Sequence, residues 1–190
     1  MTETDLAHPV TRSGPRRGRP VVRSGLVLVV LALAAMWVYV LFIGKEVSPN
    51  RLEDQGWAER AEPVCATAAA RVGALPSARS FAGIEPLEEA LRQRAEVGQE
   101  ATDVVAAQVA ALRGLPPPTG PNDGALLTAW FADWDTYLGD RADHVAEWRA
   151  GRDRPFAETE ADTGGPISDR MDALAKENGM PSCVVPRDFG

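Results

Sequence analysis

From Gly25 to Gly44 the chain runs for twenty residues without a charge, and the middle of that run, LVLVVLALAAMWVYVLFI, is apolar almost throughout. As an α-helix, twenty residues rise about 30 Å, the thickness of a bilayer's hydrocarbon core. A helix that is apolar on every side suits lipid and is costly in water, so this run constrains the fold more than any other part of the sequence. Trp37, Tyr39 and Phe42 gather toward its C-terminal end, where amphipathic rings favour the headgroup level. Ala32-Leu33-Ala34 fits a signal-peptidase site, but apolar residues continue to Ile43, whereas a cleavable signal is shorter and is followed by polar sequence. No cysteine follows closely enough for a lipoprotein anchor.

The flanks set a direction. Arg12, Arg16, Arg17, Arg19 and Arg23 precede the run against Glu3 and Asp5, giving residues 1–24 a net charge of +3, while Lys45 and Glu46 cancel behind it. The arginine-rich side stays in the cytoplasm. The expected organisation is a disordered cytoplasmic tail at 1–24, a transmembrane signal-anchor helix at 25–44, a tether at 45–50 and an exported helical domain at 51–190. The chain would then be a single-pass protein of the cell membrane. Residues 47–190 hold 14 basic and 24 acidic residues, a net of −10, which disfavours nucleic acid and anionic headgroups as partners. Arg17-Gly18-Arg19-Pro20 matches the core of a minor-groove AT-hook. The same arginines read more simply as a clamp on anionic inner-leaflet lipid.

Beyond the anchor the apolar pattern is helical. Trp57, Ala61, Val64, Cys65, Ala68, Val72 and Leu75 trace one face of a helix that Ser48-Pro49 could start and Pro63 should kink or restart. Ile84, Leu87, Leu91, Ala95, Ala101, Val105, Val109 and Leu112 trace a second, stopped by Gly114-Leu115-Pro116-Pro117-Pro118. Leu127, Trp130, Phe131, Trp134, Leu138, Val145 and Trp148 trace a third, with Asp123 as the expected N-cap. After a loop of about fifteen residues, Ile167, Met171, Leu174 and Ala175 trace a short fourth helix, closed by Asn178-Gly179 with Pro181 beyond. No segment alternates as a strand does. The fold class is all-α: one N-terminal transmembrane helix plus a small bundle of three long helices and one short one.

Cys65 lies on the apolar stripe of the first bundle helix and Cys183 follows the last. On the exported side oxidation is permitted, and a bond between them would close 117 intervening residues. Chain-entropy arithmetic makes that worth about 4–5 kcal/mol. The alternatives are two free buried thiols or a redox pair, and no Cys-x-x-Cys supports the latter.

Catalytic signatures are missing. There is no Gly-x-Ser-x-Gly, Ser-x-x-Lys, His-Glu-x-x-His, phosphate loop or dinucleotide fingerprint, and His144 is the one histidine beyond the anchor. Asp140, His144 and Glu147 share a helical face and could approach a divalent metal. A solvated face explains the same spacing, and no cofactor is expected. Trp130, Phe131, Trp134, Tyr137 and Trp148 form the most unusual cluster. Aromatics at this spacing fill cores, yet a partner or ligand patch would use the same residues, and at least one of Trp130, Trp134 and Trp148 is expected to be exposed.

Cys65, the helix end Leu112-Arg113-Gly114-Leu115-Pro116-Pro117-Pro118, the Trp130/Trp134 helix and Gly179-Met180-Pro181-Ser182-Cys183 together give a recognisable layout. Over residues 57–183 it resembles the anchored, Cys-bracketed helical ectodomains of high-GC Gram-positive bacteria. That resemblance implies an architecture and no activity. The functional expectation is a non-enzymatic, membrane-anchored envelope protein. It would touch lipid through residues 25–44 and present a helical module to another membrane or envelope protein. The alternatives are a module binding a lipid or cell-wall fragment and, third, a carboxylate-based hydrolase.

Overall fold

The computed structural model describes residues 19–39, 48–81, 83–162 and 164–189. They fall into two units, one ending at Val47 and one beginning at Ser48. In the first, α1 spans Arg19–Val38, so the helix begins six residues before the uncharged run. Once apolar turns have nucleated a helix, each further residue adds a hydrogen bond at little cost, and Pro20 in the first turn is already set to helical φ. Residues 19–24, expected as disordered tail, are therefore helical in backbone. Leu28, Leu31, Trp37 and Tyr39 are all exposed, which is the surface of a helix apolar on every side. Among the described residues no helix is long and apolar enough to cross a membrane. Residues 40–44 of the expected span, 45–47 of the tether and 1–18 of the tail lie outside the described residues.

The second unit is all-α, and no strand occurs among its described residues. It contains α2 (Gln55–Gly73), α3 (Leu87–Arg113), α4 (Asp123–Arg149) and α5 (Ile167–Glu177). With α1 this makes five α-helices among the described residues, the number that the sequence predicts. α2 and α4 pack against α3, α5 packs against α4, and the turn Pro181–Cys183 sits on α2.

The helix starts differ from expectation for local reasons. α2 begins at Gln55 because Asp54 accepts a hydrogen bond from the Trp57 amide at 3.2 Å, satisfying one of the first turn's orphan donors. The Ser48 hydroxyl is used elsewhere: it donates to the Glu177 carboxylate, and Asn178 Nδ2 donates to the Asn50 carbonyl at 2.7 Å. The expected tether thus belongs to the domain from Ser48 onward. Pro63 neither stops nor restarts α2, which is continuous through it. The ring sits on the exposed side, where water can serve a carbonyl that lost its amide donor. Asn122, not Asp123, precedes α4. Asp123 is buried in the first turn and accepts from the amides of Glu53 and Asp54, both at 2.9 Å. Asp54 in turn accepts from the Thr119 amide at 3.1 Å. These two carboxylates tie the approach to α2 to the loop and first turn of α4.

The main core holds Trp57, Cys65, Val105, Val109, Leu112, Trp130, Trp134, Met171 and Met180, and a smaller cluster holds Leu91, Ala95, Val145, Trp148 and Phe189. At Gly98 the bundle leaves no room: a Cβ there would lie 2.9 Å from Trp148 Cζ3 and 3.1 Å from the Phe189 ring. Cys65 and Cys183 are bonded and fully buried, and the S–S distance is 2.02 Å. Beyond Cys183 the chain remains fastened, with Val185 and Phe189 buried, although its short sequence offered few apolar anchors.

Candidate ligand cleft

The structure takes the sequence-predicted site residues in turn and gives each a task in the fold. Trp130, Trp134 and Trp148 are 2%, 0% and 3% exposed, so none forms a surface patch. The expectation that one of these tryptophans is exposed is corrected: α4 packs against α3 and α5, which covers all three, while Phe131 beside them is partly buried. Edge-to-face contacts run from Trp57 through Trp130 and Trp134 to Tyr137, with ring centroids 5.9–6.4 Å apart. Trp130 Nε1 donates to the Met171 carbonyl at 3.2 Å, whereas Trp134 Nε1 and Trp148 Nε1 are buried without a partner.

The weak metal candidates are likewise separated by their partners. Asp140 accepts from the Thr159 amide at 2.7 Å and from its hydroxyl at 2.9 Å, fastening the α4–α5 loop. Glu147 is paired with Arg152 at 2.6 Å. His144 is 6% exposed and not on a solvated face: it stacks against Trp148, with centroids 4.3 Å apart, and against Phe156 and Phe189. Among the described residues, no group of three His, Cys, Asp or Glu side chains is placed to hold a metal ion.

Burial lowers the His144 pKa below its usual 6.5, while the carboxylates of Asp153 and Glu147 pull the other way. The folded state therefore favours the neutral ring. Its contribution to stability is complete above pH 6.5 and is lost as pH falls through 6.5 toward the depressed folded value. The melting temperature of the full chain should fall between about pH 7 and about pH 5, a window above the carboxylates' own titrations. The His144→Phe variant should flatten that slope, and an unchanged slope would show that His144 is not responsible.

Around His144 lies a network that the sequence did not single out. Arg141 is fully buried, and its two terminal nitrogens donate to the Asp188 carboxylate at 2.8 and 2.7 Å. Its Nε donates to the Thr102 hydroxyl at 3.2 Å, and its guanidinium lies 4.1 Å from the centre of the Phe189 ring. Burial opposes the Arg141 charge, but the bonds and charge of Asp188 outweigh it and raise the pKa. Burial also pushes the Tyr137 phenol up to about 12, and its hydroxyl donates to the Pro186 carbonyl at 3.0 Å. These contacts lay residues 184–189 along the bundle as a fixed strap.

The strap forms one wall of a cleft of about 510 Å³. Its other walls are the C-terminal half of α2, through Ala69, Val72 and Leu75, and one face of α3, through Val97, Ala101 and Val105. On the far side of the strap, a hollow of about 590 Å³ is edged by His144, Trp148, Phe156 and Arg154. Arg94 reaches both. A concave, mainly apolar space of the first size is what small-molecule sites have, with few polar groups to fix orientation. Its one carboxylate, Asp188, is committed to Arg141. Sequence periodicity could not reveal the cleft, because one of its walls, the strap, lies more than seventy residues beyond the α3 floor. No protein-family model matches the chain, and no curated protein or solved structure matches it either.

Proposed function

We propose that the chain is a membrane-anchored, non-enzymatic binding module whose cleft between α2, α3 and the strap takes an apolar small molecule. The cleft itself carries this reading: about 510 Å³ of concave space floored by small aliphatic side chains, in a domain whose tryptophans are all spent on the core. A protein-contact module needs exposed anchors, and the aromatic residues on which that reading rested are buried. A hydrolase of the carboxylate type needs two convergent acids, and the cleft contains only Asp188. The anchoring is supported by the twenty uncharged residues from Gly25 to Gly44 and by the apolar surface of α1. The +3 charge before the run supports a cytoplasmic N-terminus.

The test uses the full chain in peptidiscs. An apolar fluorescent reporter should bind, and the Val97→Trp variant, which fills the cleft from its floor, should bind at least tenfold more weakly with an unchanged melting temperature. Equal binding by the variant would remove the cleft from consideration. For topology, a reporter enzyme fused after Gly190 should be active only outside the cytoplasm.

A further inference from the structure

Building on that reading of the cleft, we infer that its ligand is a single-chain amphiphile with a carboxylate head, a free long-chain fatty acid. Its head would sit at Arg94 and its chain along the face of α3 toward Gln108. Three observations converge on this class. The first is shape. Arg94, Val97, Ala101, Val105 and Gln108 all face the cleft from one helix. Fourteen residues separate Arg94 from Gln108, about 21 Å of helical rise, so the floor is long and only one helix face wide. That is the outline of one extended alkyl chain.

The second is that the ends differ. At one end Cys183 is bonded to Cys65, Gln108 Nε2 lies 3.3 Å from Cys65 Sγ, and Val105 and Val184 line the wall. At the other end the strap brings Phe189 against Gly98, and Arg94, one turn before Gly98, lines the cleft. Among the described residues the only carboxylate lining the cleft is Asp188, which Arg141 holds in a two-pronged pair. In a domain with a net charge of −10 from residue 47 onward, this end of the cleft presents the Arg94 guanidinium against the prevailing sign. The third is an unmet donor. Arg94 Nε is buried and has no hydrogen-bond partner. A buried donor left unpaired costs free energy, and a charged one costs more. One terminal nitrogen of Arg94 pairs with Asp153 at 2.9 Å, but Asp153 is 44% exposed, and such a surface pair is weak enough to yield to a second carboxylate. A carboxylate is the acceptor that a guanidinium fork fits in two-pronged fashion.

Two photoactivatable palmitates test this on the full chain in zwitterionic nanodiscs, one with the diazirine near the carboxylate and one with it at the far end. The near-head probe should crosslink to peptides around Arg94 and Ser77, and the far-end probe to peptides around Gln108 and Pro181. Labelling by both should fall at least tenfold in Arg94→Gln and persist in Arg94→Lys, which keeps the charge if the glutamine variant folds poorly. A hexadecanol probe of equal length should label the cleft at least tenfold less. Equal labelling by hexadecanol, unchanged by Arg94→Gln, would leave the cleft as an apolar site and overturn the carboxylate assignment alone. Reversed ends would overturn the placement of the head. Labelling of the cleft by a diacyl phosphatidylglycerol probe in place of palmitate would overturn the single-chain class. No cleft labelling by any probe would overturn this inference and the proposed function together.

Discussion

Replacing both Cys65 and Cys183 by alanine should cost the domain about 3–5 kcal/mol. The bond spans 118 positions, so its absence restores to the unfolded chain the freedom of nearly the whole domain. The folded state also loses, because both sulfurs are fully buried and hold the turn at Pro181–Cys183 on α2. For a domain of this size such a loss corresponds to a fall in melting temperature of roughly 10 °C or more. Four of the five tryptophans lie in the domain and are buried, so their fluorescence in the full chain follows the transition. A fall of less than about 3 °C would mean that the core holds the strap without the covalent link.

The pair of Arg141 and Asp188 should show a large and asymmetric sensitivity. Asp188→Ala leaves a guanidinium buried without its counter-charge, which costs about 3–5 kcal/mol. Arg141→Met should cost less, because the side chain of Asp188 is 19% exposed and can turn to water, whereas that of Arg141 is 0% exposed and cannot. The double variant should be no less stable than Asp188→Ala alone, since removing the charge cancels the penalty of stranding it. Melting curves of the three proteins decide the matter. A double variant that lost the sum of the two single losses would show that the residues act independently.

What could be read from the sequence and what could not divides along the range of the interactions. Four amphipathic stripes beyond the anchor gave the helices to within a few residues, because helical burial repeats locally. The stop at Asn178-Gly179 was legible because Gly179 takes a positive φ of 70°, which few other residues accept. The cysteine pairing was legible because two cysteines admit one partner each. His144 read as solvated face, Arg141 one turn earlier was not singled out, and nothing nearby in sequence signals that either is buried. Their burial comes from Asp188 and Phe189, more than forty positions further on. The aromatic stripe was ambiguous for the same reason: its period reports that one face of α4 is apolar, and only the placing of α3, α5 and the strap decides that this face is covered. The cap expected at Asp123 missed because its carboxylate serves the amides of Glu53 and Asp54 instead, a long-range contact that an N-cap rule, which sees only the local partner, does not register.

The strap has a consequence for the order in which the molecule can be made. Met180, Cys183, Val185 and Phe189 fill the interior beside residues such as Ala61 and Cys65 that leave the ribosome more than a hundred residues earlier. Leu52, at the domain's first turn, hangs its amide on Asn178 at 2.7 Å. A nascent chain carrying α2, α3 and α4 alone therefore displays an open groove where the strap belongs, with Arg141 still lacking Asp188. The domain cannot close its core vectorially from its beginning, and its final collapse waits until the strap itself has emerged. Stalled chains ending before about residue 180 should remain sensitive to protease that the finished protein resists.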